Sequence, residues 1–130
     1  MAATQTDFGL SQIGQIAIRV RDLDRAVEFY RDRLGMRFLF SAPGLAFFQC
    51  GDVRLMLGGA EVPEADHPAS ILYFTVENID AAYETLRGRG VEFRDQPHLI
   101  HRAETYELWM AFFRDLDENN FAIMTRKPKR

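Results

Sequence analysis

Residues 15–20, Gln-Ile-Ala-Ile-Arg-Val, find a counterpart 56 positions later in residues 71–76, Ile-Leu-Tyr-Phe-Thr-Val. Each run is followed by the same kind of segment, Arg21-Asp22-Leu23-Asp24 in the first case and Glu77-Asn78-Ile79-Asp80 in the second. A chain that carries one pattern twice builds one structural unit twice, and no other feature constrains the fold as much. Both runs are short and rich in β-branched and aromatic residues, so they read as strands. Each leads into a helix. Asp22 and Asn78 stand at the N-cap, where a short side-chain oxygen accepts an otherwise orphaned backbone N–H. Leu23, Ala26, Val27, Tyr30 and Leu34 make one apolar stripe at helical spacing; Ile79, Ala82, Tyr83 and Leu86 make the other. Gly35 ends the first helix, and Gly88 and Gly90 end the second.

Three strands are expected after each helix. In the first half they fall at 36–41, 44–50 and 52–57, with Pro43-Gly44 and Gly51-Asp52 as turns. In the second they fall at 91–96, 106–114 and 119–125. Ala46-Phe47-Phe48-Gln49 is matched by Ala111-Phe112-Phe113-Arg114, now 65 positions on. The second half has therefore gained residues, and they are placed around Pro97–Tyr106 as a longer hairpin. The pattern predicts an α+β domain over residues 13–125 built from two βαβββ modules. Module one covers about 13–58, a linker 58–69, module two about 70–125, and a basic tail 126–130.

Composition narrows the function. A chain of 130 residues buries enough surface to fold without a disulfide or metal staple. The lone Cys50 closes no intrachain disulfide and fits a reducing cytoplasm. It reads as a buried spectator, because a nucleophilic thiolate needs an electropositive setting and Arg54 is the nearest base in sequence. No apolar run approaches the roughly 18 residues of a membrane span. The opening MAATQTDFGLSQIG has neither a basic start nor an apolar core, so no secretory signal is expected. Net charge is −3, and −7 once Arg126, Lys127, Lys129 and Arg130 are set aside, leaving 12 basic against 19 acidic residues. Such a body repels nucleic acid and mildly favours cationic or neutral ligands. P-loop, GxGxxG and HExxH motifs are absent from the sequence.

Two phrases carry a family resemblance. One runs from Gln15 to Val20 and on through Asp22-Leu23-Asp24-Arg25-Ala26-Val27-Glu28-Phe29-Tyr30-Arg31-Asp32-Arg33-Leu34-Gly35; the other is Phe113-Arg114-Asp115-Leu116-Asp117-Glu118-Asn119. Together they resemble the vicinal oxygen chelate superfamily, which holds glyoxalases, epimerases, extradiol dioxygenases and bleomycin-binding proteins. The second phrase departs from the family's Asp-Pro-Asp-Gly-Asn turn at Leu116 and Glu118. The glycine loss matters, because a residue with a Cβ enters the left-handed region at a cost. The resemblance implies the glyoxalase/bleomycin-resistance-like fold: paired half-barrel cups, each with its helix on the convex side, closing around a pocket. Alternation then turns Ile16, Ile18, Val20, Leu72, Phe74 and Val76 toward the helices, and Gln15, Ala17, Arg19, Ile71, Tyr73 and Thr75 into the cup.

Enzymes of the family hold a divalent metal with His, Gln and Glu from four strands. Carried over one position at a time, those ligands fall on Gln15, Met56, Ile71 and Ala122. Ile and Ala have no donor atom, and a thioether suits soft ions rather than the harder metals of this family. No metal cofactor is expected. His98 and His101, near Glu104 and Glu107 and with His67 in the linker, are the raw material for a relocated site. Three residues apart on a regular strand, however, His98 and His101 point to opposite faces.

What remains is a cup of aromatic character. Expected wall residues are Phe38, Phe40, Phe47, Tyr73, Trp109 and Phe113, with Gln15, Arg19, Thr75, His98, Glu107 and Asn120 as polar groups that orient a ligand. Trp109 draws notice because bleomycin-type proteins also carry a Trp just before the equivalent turn. On its strand Glu107, Trp109, Ala111 and Phe113 share one face, and Leu108, Met110 and Phe112 the other. Eleven Phe in so small a domain, and the family habit of pairing, imply a homodimer. The expectation is a cytoplasmic, metal-free protein that sequesters a hydrophobic aromatic natural product or antibiotic, with no nucleic-acid or membrane partner. The alternative is a lyase or isomerase of the same fold using His98, Glu107 or Arg19.

Overall fold

The computed structural model describes residues 8–59 and 70–129; His67 and most of the linker lie outside them. The first module runs β1 (Gln15–Arg19), α1 (Leu23–Glu28), β2 (Arg37–Ala42), β3 (Leu45–Cys50) and β4 (Val53–Gly58). The second runs β5 (Leu72–Thr75), α2 (Ile79–Gly88), β6 (His98–Arg102), β7 (Tyr106–Arg114) and β8 (Asn120–Pro128). Each module forms one four-stranded mixed sheet, ordered β1-β4-β3-β2 and β5-β8-β7-β6. Both sheets are open and do not close into a barrel. In each, the first strand pairs in parallel with the last. That pairing needs a crossover, and the helix supplies it.

Both helices start where the sequence places them. Asp22 accepts from the Arg25 N–H at 3.2 Å, and Asn78 accepts from the Ala81 N–H at 3.0 Å. α1 then widens into a π turn over Phe29–Arg33. This turn directs the neighbours Phe29 and Tyr30 both inward, where both are buried. Gly35 ends the segment at φ +73°.

The core lies between the helix-bearing sides of the two sheets. Ile18, Leu55, Leu57 and Phe48 line it from the first sheet, and Ala111, Phe113, Phe121 and Ile123 from the second. Tyr30 joins the halves. Its ring lies 5.9 Å from that of Phe48 and 6.2 Å from that of Phe121. Its hydroxyl donates to Asp115 at 2.6 Å.

The second module departs from the sequence reading in three places. Residues 91–96 form no full strand; Phe93 makes a single bridge to Phe113, and pairing resumes only at His98. The Asp95 carboxylate, accepting from the Phe112 N–H at 2.8 Å, takes over where the ladder lapses. The hairpin is longer, as expected, but its added length is strand on both sides of the turn at 103–105. The basic end is no free tail over its first three residues, because β8 continues through Arg126 and Lys127 to Pro128, paired to β7.

The turn after β7 survives its lost glycine. Glu118 takes the left-handed conformation itself, at φ +65°. A non-glycine residue there costs on the order of 1–2 kcal/mol, partly offset by the chain entropy that glycine loses on folding. We expect Glu118→Gly to raise stability by about 0.5–1 kcal/mol, read as a higher urea midpoint at unchanged slope. Tyr30→Phe should cost about 1.5–3 kcal/mol, since it strips a buried carboxylate of a donor. Burial first, and Asp115 beside it, push the Tyr30 phenol well above its ordinary range. The folded state therefore keeps that proton more tightly than the unfolded chain. The stability this provides is complete below about pH 10 and is lost as pH rises through the folded value. Denaturation curves of wild type and Tyr30→Phe should accordingly converge in alkali.

Candidate functional site

Each sheet has an outer side, turned away from its helix, and strand register assigns the side chains to it. On the first sheet Ala17, Met56 and Phe47 stand abreast, as do Gln15, Arg54 and Gln49. Phe40 joins them from β2, its ring stacked on Phe47 at 4.6 Å and 26°. The Arg54 guanidinium sits over both rings, 5.8 Å from Phe40 and 5.5 Å from Phe47. The Gln15 amide donates to the Met56 sulfur at 3.8 Å. On the second sheet Tyr73, Ala122 and Phe112 stand abreast, and Met110 lies beside Met124 and His98. The Tyr73 and Phe112 rings meet edge to face at 6.2 Å. A cavity of about 400 Å³ opens here between Ile71, Arg94, Asp95, Phe112 and Asn120, walled by the second module alone. Arg94 donates to the Asn120 side-chain oxygen Oδ1 at 3.2 Å.

The outer sides thus gather eight of the residues expected in the cup: Gln15, Arg19, Phe40, Phe47, Tyr73, Thr75, His98 and Asn120. Four others lie elsewhere. Phe38 packs inward against Phe48 at 5.5 Å. Period-2 spacing put Phe38 and Phe40 on one face, but a bulge between them reverses the side. Phe113 is a core residue between Phe93 and Phe121. Trp109 and Glu107 share its side of β7. Trp109 packs on the core, donates to Glu107 at 3.2 Å and carries the Lys127 ammonium 4.2 Å from its ring. Glu107 also faces Arg102 at 3.4 Å. The two faces of this strand were read correctly, but the outer one belongs to Leu108, Met110 and Phe112. A second bulge, between Leu99 and His101, brings His98 and His101 to the same side, contrary to regular alternation.

Arg54, Arg94 and Phe112 are among the outer-side residues that sequence reasoning missed. Arg54 had a signal, since it lies two residues before Met56 on one strand and alternation puts both on the same side. Arg94 had none, because it lies in the irregular stretch before β6.

The metal positions come together in pairs, Gln15 with Met56 and Ile71 at the Asn120–Ala122 end of β8. The donor set does not fit a divalent ion: one amide oxygen, one thioether and two hydrocarbon side chains. Among the described residues no three His, Cys, Asp or Glu side chains come together to hold a metal. The His98 ring nitrogen is engaged by the Gln96 carbonyl at 2.8 Å. Burial pushes the Cys50 thiol up, away from the thiolate a nucleophile needs.

Fold and site define a protein of paired βαβββ modules with an aromatic outer surface. The family model of the Glyoxalase/Bleomycin resistance protein/Dioxygenase superfamily matches residues 12–123, and the chain belongs to that superfamily. It is 32% identical over 123 residues to the uncharacterised protein YraH of Bacillus subtilis, spanning 84% of this chain and 94% of that one. The fold is shared with solved structures, two of which serve as examples. A superfamily member from Sphaerobacter thermophilus aligns with a TM-score of 0.74 at 23% identity, covering 89% of this chain and 98% of that one. A lactoylglutathione lyase from Agrobacterium tumefaciens aligns with a TM-score of 0.72 at 24% identity, covering 90% and 95%.

The donor set makes its own prediction. Protein incubated with excess zinc, nickel or manganese and then desalted should retain far less than one equivalent by plasma mass spectrometry. Stoichiometric retention would contradict it.

Proposed function

We propose that this protein binds and sequesters a hydrophobic aromatic small molecule, of the natural-product or antibiotic kind, without a metal. The outer sides of the two sheets form the walls of its site, and a second copy of the chain completes it. One observation carries the reading: the outer sides are aromatic and uncovered within one chain. Phe40, Ile71 and Tyr73 are 44%, 44% and 47% exposed. Within each sheet the exposed ring adjoins a second one, Phe40 on Phe47 and Tyr73 against Phe112, and exposed apolar surface of this kind marks a binding site or an interface. Pairing through these faces turns two shallow surfaces into one enclosed groove, where stacking and burial supply affinity.

A lyase or isomerase fits less well. Of its candidate groups His98, Glu107 and Arg19, the first two stand on opposite sides of the second sheet, and Glu107 is already engaged by Arg102 and Trp109. The metal-dependent chemistry of the superfamily's enzymes lacks its ligands here.

Two measurements test the proposal. Light scattering after gel filtration should give the mass of a dimer, and Tyr73→Asp should shift it toward monomer. A panel of flat polycyclic natural products should include compounds that raise the melting temperature by several degrees, since a ligand at 100 times its Kd adds about 2.7 kcal/mol to stability. The compounds should be recovered unchanged. A monomer that no such compound stabilises would refute the reading, and turnover of a bound compound would replace it with the enzyme.

A further inference from the structure

The chain is acidic overall, yet its outer sheet faces are not. Of its strand residues on those sides, none is Asp or Glu, while Arg19, Arg54, Arg114 and Arg126 all are found there. Arg114 has Glu118 at 3.7 Å. Arg54 has no carboxylate partner among the described residues; its neighbours are the faces of Phe40 and Phe47. Arg126 lies in the same way 5.1 Å from the Tyr106 ring. An arginine held on aromatic faces keeps its planar fork of N–H donors free for a ligand, and that fork matches a carboxylate or phosphate.

The place of Arg54 sharpens this. It stands in register with Gln15, beside the Gln15–Met56 pair where two metal ligands would fall. In the second module Arg94 and Ile71, a third such position, line one cavity. The one carboxylate there, Asp95, accepts from the Phe112 N–H at 2.8 Å and faces His98 at 3.9 Å. In each module, then, the donor atoms of a cation site are missing and a fixed cation stands alongside. We infer that the site takes an aromatic acid: its oxyanion is received by Arg54 and its ring packs on the Phe40–Phe47 surface, with Arg94 as the corresponding cation of the second module. A guanidinium thus supplies the positive charge that a divalent ion supplies in metal-dependent relatives. This rests on the outer faces being the ligand site, and it departs from the expectation from net charge that cationic or neutral ligands would be favoured.

The test uses three ligands alike in ring and size: 2-naphthoate, 2-naphthamide and 2-naphthylmethylammonium. Each is titrated calorimetrically into the full chain, at low salt and at 0.5 M salt. Naphthoate should bind about tenfold more tightly than the amide, the scale of one charge-assisted contact, with the ammonium weakest. Salt should narrow the gap. Arg54→Gln should bring naphthoate down toward the affinity of the amide and weaken the amide far less, a pattern that a merely structural role for Arg54 would not give. Arg54→Lys should restore part of the difference. Equal binding of acid and amide, or tighter binding of the ammonium, overturns the inference and leaves aromatic binding standing. Failure of all three to bind at millimolar concentration overturns both.

Discussion

The Tyr30 hydroxyl donates across the boundary between modules to Asp115, and that bond organises what surrounds it. Asp115 is 7% exposed, and its two oxygens also accept from the backbone of Asp117 and Asn119 and from the Asn119 amide. A carboxylate buried this far is tolerable only because its lone pairs are used. The same residues carry the link further. Asn119 donates to the Arg19 carbonyl at 3.1 Å, and Asp117 accepts from the Arg21 N–H at 2.9 Å. The end of β1 is thereby fastened to the β7–β8 turn. That anchor explains why the turn keeps its shape with Glu118 in the left-handed region. Asp115, Asp117 and Asn119 over-determine the loop, so one strained residue is carried by its neighbours.

Much of the fold was legible because it is periodic and repeated. Helix starts at Asp22 and Asn78 and the strands of the first module follow from capping chemistry and alternation, within a residue or so. The second module was read less well, and each failure has a local cause. Residues 91–96 have strand-like composition, but the ladder lapses between Phe93 and His98. No one-dimensional pattern marks that. Arg126 and Lys127 looked like a solvated end, because like charges in a row usually are. In fact they alternate across a strand, one over Tyr106 and the other over Trp109.

The site was half legible for a related reason. Alternation assigned β1 and β5 correctly, since both are regular. It failed at Phe38, where a bulge reverses the side, and at the histidines, where a second bulge aligns them. Trp109 and Phe113 failed differently. Their strand was divided correctly into two faces, but aromatic content does not say which face is core, because cores and ligand sites both favour large rings. The thioether and hydrocarbon side chains at Met56, Ile71 and Ala122 were plain from the sequence. The charge on the outer faces was not, because it is a property of selected sides of strands and runs against the total.

The parallel pairing of first with last strand also sets an order of events. Neither sheet can be finished until its fourth strand is made, since β1 has no partner before Val53–Gly58 and β5 none before Asn120–Pro128. Contacts this distant in sequence slow folding through the entropy of closing the intervening chain. On the ribosome the first module is complete once β4 has emerged, while the second is still being synthesised. Until Asp115 and Phe121 arrive, Tyr30 lacks both its acceptor and one of its ring neighbours. The newborn first half therefore has only its own helical segment over the inner side of its sheet, and nothing over the outer side, for as long as the other half takes to appear. Chaperones have most to protect in that interval.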